Sequence, residues 1–267
     1  MTLSFIDRPS PNWNERLRPV SLVVLHYTGM QGLEPALRVL TDPRPVAGAY
    51  PGPWHSDQVD PASPMNRVSS HYVVAETGEI FRLVAEEKRA WHAGAGSWLG
   101  RDDVNSASIG IEIVNGGHDF GLPDYPEPQV QAVIALVTDI LARWGLPPEA
   151  VIGHSDMAPG RKPDPGEKFP WERLAAAGGS FWPGPPSGDR RPLFDQPDMI
   201  DRGIALVQTA LGNIGYGVEI TGRLDARTRD VIVAFQRRFR PGKVDGLVDL
   251  ETMDLIARVV KQLRPAG

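Results

Sequence analysis

The chain has 267 residues, 41% hydrophobic and 23% charged, the balance of a soluble globular protein with room for about two domains at ~150 residues each. A formal net charge of −5 argues against a nucleic-acid partner, because phosphate neutralisation needs a basic face. With no cysteine, disulfides and thiolate metal sites are excluded, so any zinc must be held by histidine and carboxylate.

The first residues, Met1 to Pro11, show neither a basic stretch nor an apolar one of the kind that directs export, which predicts a cytoplasmic protein, with the periplasm or cell envelope as the alternative if a signal has been removed. No apolar run approaches the ~18 residues of a membrane span. Val20 to His26 is a short apolar run, predicted to be a buried strand that delivers His26 at its C-terminal end. Leu33, Ala36, Leu37 and Leu40 follow at helical spacing, and the six prolines between Thr41 and Ser70 predict an irregular loop. His71 to Ala75 and Glu79 to Val84 read as a hairpin about Thr77-Gly78.

Ser108 to Val114 is a further strand, with Ile109, Ile111 and Ile113 on one face and Gly110, Glu112 and Val114 on the other. Glu112 thus points away from three isoleucines, an orientation that suits a pocket or a solvated face. Val130, Val133, Ile134, Val137, Ile140, Leu141 and Trp144 trace an amphipathic helix that stops at Gly145, and Val151-Ile152 is a brief strand feeding His154. The expected fold class is α/β, a mixed central sheet flanked by helices, over residues 1–180.

Residues 181–197 are rich in Gly, Pro and Ser and lack periodicity, which predicts a linker. Beyond it, residues 198–267 carry three helical patterns: Ile200, Ile204, Val207 and Leu211; Val231, Phe235 and Phe239 behind a possible cap at Asp225; and Met253, Ile256, Val260 and Leu263. A linker of that composition predicts a catalytic part that needs no apolar face from the small three-helix domain behind it.

The chemistry concentrates in the loop from His154 to Asp164, where Pro and Gly stiffen a chain bearing an imidazole, the Lys162 ammonium and a carboxylate. With His26, this makes two imidazoles and one carboxylate, a common protein set for a catalytic zinc that leaves its fourth position to water. The alternative for these three residues is two core or capping histidines and a surface aspartate.

Five stretches, Val24-Leu-His-Tyr-Thr28, Val68 to Val74, Ala90-Trp-His-Ala-Gly94, Ser108 to Asn115, and Ile152 to Asp156 running on to Arg161 to Gly166, resemble the type 2, zinc-dependent N-acetylmuramoyl-L-alanine amidases in that family's order. The tail resembles the small peptidoglycan-binding domain often appended to cell-wall hydrolases, through Val207-Gln208, Leu211, Gly215-Tyr216, Gly222, Thr228, Phe235-Gln236, Asp245-Gly246 and Thr252. The resemblance implies a fold shared with the peptidoglycan recognition proteins. It also implies hydrolysis of the amide between (1,6-anhydro-)N-acetylmuramic acid and L-alanine of the stem peptide, with muropeptide or peptidoglycan as the partner.

Carried over residue by residue, the resemblance assigns Zn2+ to His26, His154 and Asp164, the general base to Glu112 and the cation facing the oxyanion to Lys162. Trp91, His92, Asn115 and His71, with the Gly94 to Leu99 segment, are expected around the substrate cleft. Support behind the ligands is the other reading of the two histidines. Arg161, His55 and His118 are expected to be solvated, with His118 and His71 as substitute ligands and Asp156 as a substitute base. Two other functions compete: a receptor of the same fold that has lost its metal, and a targeting module in which the tail is the working part.

Overall fold

The computed structural model describes residues 3–43 and 67–263. Most of the proline-rich loop expected between Thr41 and Ser70, with His55, lies outside the described residues. A six-stranded mixed sheet organises the first part of the chain, in the order β1 (Phe5–Asp7), β5 (Ile80–Arg82), β4 (Tyr72–Val74), β7 (Ser108–Ile113), β3 (Leu22–Tyr27) and β8 (Val151–Gly153). The pairs β4–β7, β7–β3, β3–β8 and β1–β5 are parallel, and β4–β5 is the antiparallel hairpin read from Thr77-Gly78. A separate two-stranded ribbon joins β2 (Trp13–Glu15) to β6 (Lys88–Ala90).

The period of two along the strands sorts their side chains into two cores. Val23 and Leu25, Ile109, Ile111 and Ile113, and Tyr72 and Val74 pack on one face against Val133, Leu136, Val137 and Ile140 of α3 (Glu127–Trp144). That helix ends where the sequence predicts, at Gly145 in the left-handed conformation (φ 61°), which glycine adopts without steric cost. On the opposite face, α1 (Leu33–Thr41) covers Val73, Phe81 and Val114 with Leu37 and Leu40.

The remaining half of that second face is covered by the C-terminal helices α6 (Arg202–Ile214), α7 (Ala226–Phe239) and α8 (Leu250–Leu263). Asp225 caps α7 by accepting the Thr228 N–H, as its place in the sequence predicts. Leu22, Val24, Ile152, Met157 and Trp98 belong to one buried cluster with Val207, Tyr216, Phe235, Phe239 and Ile256. The expectation that the catalytic part needs no apolar face from the tail is therefore corrected. The helical periodicity showed that α6 to α8 each have an apolar face, but not that part of that surface closes on β3 and β8. The segment 181–197 is also tied down, since Phe194 packs on this cluster and β9 (Pro192–Phe194) pairs with β10 (Val248–Asp249).

Candidate metal centre

Three adjacent parallel strands end side by side, and each delivers a polar side chain there. His26 is the penultimate residue of β3 and pairs in register with Glu112, the penultimate residue of β7. His154 follows directly on β8 and opens the one-turn helix α4 (His154–Met157). Open α/β sheets bind ligands beyond the carboxyl ends of their strands, and these side chains stand at that edge. Asp164 closes on them from the end of the loop, with its backbone carbonyl accepting the Ser155 N–H at 2.8 Å.

The result is a compact triangle of buried atoms. His26 Nδ1 lies 2.9 Å from His154 Nδ1 and 3.0 Å from Asp164 Oδ2, and His154 Nδ1 lies 2.9 Å from the same oxygen. Among the described residues this is the one group of three or more metal-ligating side chains close enough to hold an ion.

Fixed hydrogen bonds determine which ring nitrogens carry protons. His154 Nε2 donates to the Ala93 carbonyl at 2.8 Å, which leaves Nδ1 with a free lone pair. For His26 the constraint passes through three residues. The Ser108 hydroxyl donates to the Val104 carbonyl (2.6 Å), so its oxygen accepts from His92 Nε2 (3.4 Å). His92 Nδ1 then accepts from His26 Nε2 (3.0 Å), and His26 Nδ1 is also a bare lone pair. Two lone pairs and a carboxylate oxygen facing one another in a buried site repel unless a cation lies among them. The donor set therefore fits zinc, and His-to-carbonyl bonds of this kind orient metal ligands in general.

The local electrostatics favour the ligand-ready forms. Burial pushes the His154 imidazole down to about 4 and His92 well below its ordinary value. Burial alone would raise Asp164, but the neighbouring His154 and His26 outweigh it and hold the carboxyl well below the usual range. Glu112 behaves oppositely. Burial pushes it up to about 7, Asp164 adds to the rise, and His26 and Lys162 oppose it. Its Oε2 is shut off from solvent without a hydrogen-bond partner among the described residues, a costly arrangement for a carboxylate with no other task.

The other expected residues separate into those at the cleft and those behind it. Lys162 is half-buried and close enough to Glu112 and His154 to lower both their pKa values. Trp91 is half-buried, with its indole N–H on Asn14 and Arg67 over its ring. His92 stands behind His26 with both ring nitrogens committed. Gly110 makes room for it, since a Cβ there would lie 2.5 Å from the ring.

His71 and Asn115 are corrected as cleft-lining residues. His71 is fully buried, accepts the Gly110 N–H and reaches the Lys88 carbonyl. Asn115 donates to the Pro123 carbonyl and accepts the Gly117 N–H. His118 is neither solvated nor in the triangle, but bridges Tyr27 and Glu167.

Arg161 and Asp156 are also not where the sequence suggested. Instead of facing solvent, Arg161 clamps the carbonyls of Ala93 and Ala95, so the irregular segment behind His154 is held by a side chain of the metal loop itself. Asp156 faces away from the triangle, toward the tail, where Arg238 and Tyr216 meet it. In the Gly94 to Leu99 segment, Trp98 likewise turns to the tail and stacks edge-on against Tyr216.

Comparison with known proteins agrees with this geometry. Residues 16–167 match the N-acetylmuramoyl-L-alanine amidase family and residues 201–256 a peptidoglycan binding domain. The N-acetylmuramoyl-L-alanine amidase AmiD of Escherichia coli (strain K12) is 32% identical over 257 residues, which is 91% of this chain and 83% of that protein. The 1,6-anhydro-N-acetylmuramyl-L-alanine amidase AmpD of Citrobacter freundii is 36% identical over 153 residues, 53% of this chain and 80% of its own length. The structure of AmiD from E. coli complexed with anhydro-N-acetylmuramic acid-L-Ala-D-gamma-Glu-L-Lys superposes with a TM-score of 0.71 at 31% identity, over 91% of this chain and 90% of that one. AMPDH3 from Pseudomonas aeruginosa in complex with anhydromuramic pentapeptide gives 0.67 at 31% identity, over 91% and 92%. The family is generally zinc-dependent, and no helix among the described residues is long and apolar enough to cross a membrane. With a family match over more than half its length, a relative aligned over nine-tenths of it and a buried triad of metal-ligating atoms, the chain belongs to the N-acetylmuramoyl-L-alanine amidases and is an amide hydrolase.

Proposed function

We propose that the substrate is a muropeptide carrying N-acetylmuramic acid or its 1,6-anhydro form. The bond cut is the amide between its lactyl group and L-alanine, in peptidoglycan recycling or turnover. The observation that carries this reading is the triangle of His26 Nδ1, His154 Nδ1 and Asp164 Oδ2, three unprotonated donors converging in a buried site, which these residues would offer to Zn2+. The ion would supply Lewis-acid polarisation of the scissile carbonyl and a water whose pKa falls toward ~7.

The chain's own residues supply the rest. Glu112 Oε2, poised near neutrality and beside His26 on the next strand, takes a proton from the attacking water and returns it to the leaving L-alanine amine. Lys162, from the metal loop, brings a positive charge to the oxyanion that develops on the carbonyl oxygen. Ala93 and His92 hold the two imidazoles in their lone-pair-forward tautomers. The intact donor set favours an enzyme over a metal-free receptor of the same fold.

The test is release of L-alanine-terminated stem peptide from a soluble 1,6-anhydro-muropeptide by purified protein, before and after exhaustive chelation. Cleavage restored by zinc is expected. Undiminished cleavage with no metal detected by elemental analysis overturns the reading. The match of residues 201–256 to a peptidoglycan binding domain supports a second reading, that the tail adds affinity for polymeric wall. Pull-down of the full chain by insoluble sacculi, lost when free muropeptide competes, checks it.

A further inference from the structure

The tail's hold on the metal loop goes beyond shared apolar surface. Asp156 is fully buried two residues after His154, on the same single turn of helix. Its Oδ2 accepts the Gly153 N–H at 2.8 Å and Arg238 Nη1 of α7 at 2.9 Å, and its Oδ1 accepts the Tyr216 hydroxyl at 2.6 Å. The other terminal nitrogen of Arg238 donates to the Val151 carbonyl at 2.8 Å. One buried guanidinium therefore brackets His154, gripping the strand that leads into it and the helical turn that carries it.

Further along the loop, Arg227 donates to the Pro159 carbonyl, and Arg237 pairs with Glu167. Gly160 lies so close to Asp230 of α7 that a Cβ there would stand 2.1 Å from its carboxylate and displace that side chain. Arg238 is the only ion-pair partner of Asp156 among the described residues, and a buried charge that loses its partner is strongly destabilising where it stands. The available relief is for α4 to swing Asp156 toward water. Because His154 sits on the same turn, that motion takes its Nδ1 out of the triangle.

We propose that the C-terminal helical unit is a working part of the metal centre, with Arg238 and Tyr216 as positioning residues that act through Asp156 on His154. The assignment rests on reading His154 as a metal ligand. It follows that zinc affinity and cleavage of a small soluble substrate depend on the tail even when that substrate touches no residue of it. It also follows that losing the contacts to Asp156, rather than losing stability in general, is what loosens the ion.

The test uses the full chain. Zinc affinity is measured by competition with a chromophoric chelator, and ligand geometry by the visible spectrum of the Co2+-substituted protein. The variants are Tyr216→Phe, Arg238→Met and, as a destabilising control in the buried core of α8, Leu255→Ala. Tyr216→Phe and Arg238→Met are expected to weaken zinc binding about tenfold or more, as loss of groups behind a metal ligand does, and to alter the cobalt spectrum. Leu255→Ala is expected to lower Tm while leaving both unchanged. Tyr216→Phe removes one hydroxyl and keeps the ring, so it reports even where Arg238→Met does not fold. Wild-type zinc affinity and cobalt spectrum in Tyr216→Phe, with both lost in His154→Ala, overturns the proposal alone. Full zinc retention in His154→Ala overturns the metal reading and the proposal with it.

Discussion

Two of the buried charge clusters among the described residues are built on opposite rules. In the tail, Arg240 is buried between Asp249 and Glu251, with its terminal nitrogens also reaching Asp245, while Gln236 satisfies the backbone N–H groups of Asp245 and Gly246. There, cation meets anion and donor meets acceptor. At the strand ends, two imidazole lone pairs and a carboxylate oxygen face one another, and a fourth group, Glu112, keeps an oxygen with no hydrogen-bond partner among the described residues. Both places bury carboxylates beside nitrogen-bearing side chains, so burial alone does not separate structure from chemistry. What separates them is charge pairing: in the first cluster the cation already faces its anions, although the Arg240 Nε has no hydrogen-bond partner among the described residues, and in the second three electron-rich atoms face one another and are balanced only by a cation.

The sharpest way to break that comparison is to delete one member of each cluster. His26→Ala or His154→Ala should abolish zinc binding and turnover, since a three-ligand site loses a ligand. Apo-protein stability should fall far less than zinc-bound stability, because metal that binds only the folded state stabilises it. Arg240→Met should do the reverse. It leaves Asp249 with Lys243 and Glu251 with Arg190 as their remaining cations, so it costs part of the ~3–5 kcal/mol of a broken buried pair, read as a lower urea midpoint, while the zinc that remains bound to folded protein is held as tightly as in wild type. Zinc lost from Arg240→Met with an unchanged midpoint would erase the distinction.

Glu112 tests the unsatisfied side next. Glu112→Gln should retain zinc and lose about 10²- to 10⁴-fold in turnover, measured at saturating metal. Its stability should move the other way in chelated protein. The folded carboxyl titrates near 7 against 4.5 for an ordinary one, so between those values the native state holds a proton that the unfolded chain has released. Stability is therefore lost as pH rises from about 4.5 toward 7, and the full penalty stands above 7. Glutamine has no such penalty, so the variant should be more stable above pH 7 by up to ~3 kcal/mol, with the gap closing below pH 4.5. Lys162→Ala should cost a smaller factor, about 10²-fold to 10³-fold in kcat through lost oxyanion stabilisation, with zinc content unchanged.

Much of this was legible in the chain, and the reason is local. The alternation of Ile109, Ile111 and Ile113 with Gly110, Glu112 and Val114 assigns faces without knowledge of partners, and the structure keeps that assignment. A strand that ends in His26 and another that runs into His154 need only a parallel arrangement to bring the two together. What could not be read depends on partners far along the chain. Asp156 looks like any polar residue in a His-Ser-Asp run until Arg238, 82 positions later, is placed on it. Arg161 is clamped by carbonyls 66 and 68 residues away. The three-residue strands β1, β2, β6 and β9 are too short to carry a period. The composition of 181–197 describes its backbone freedom but not the apolar surface on either side of it, which is why a separable tail was expected and a shared core was found.

The smallest effect, and the finest probe of how the unsatisfied cluster is held ready, lies one step behind His26. His92 has one task visible in its contacts: its Nδ1 receives the His26 proton because Ser108 occupies its Nε2. The ring fits only because Gly110, on the neighbouring strand, has no side chain. Gly110→Ala places a methyl group 2.5 Å from the imidazole, closer than atoms tolerate, so the ring must shift and the bond to His26 must lengthen. Both Gly110→Ala and His92→Ala should then weaken zinc binding about 10- to 100-fold, the usual worth of a group that orients a metal ligand. Turnover at saturating zinc should change less. His92→Asn separates orientation from bulk, because its amide oxygen can accept the same proton. Recovery of zinc affinity in His92→Asn, measured by chelator competition, is expected if the acceptor matters. Equal losses in His92→Asn and His92→Ala would mean that the ring serves only to fill space.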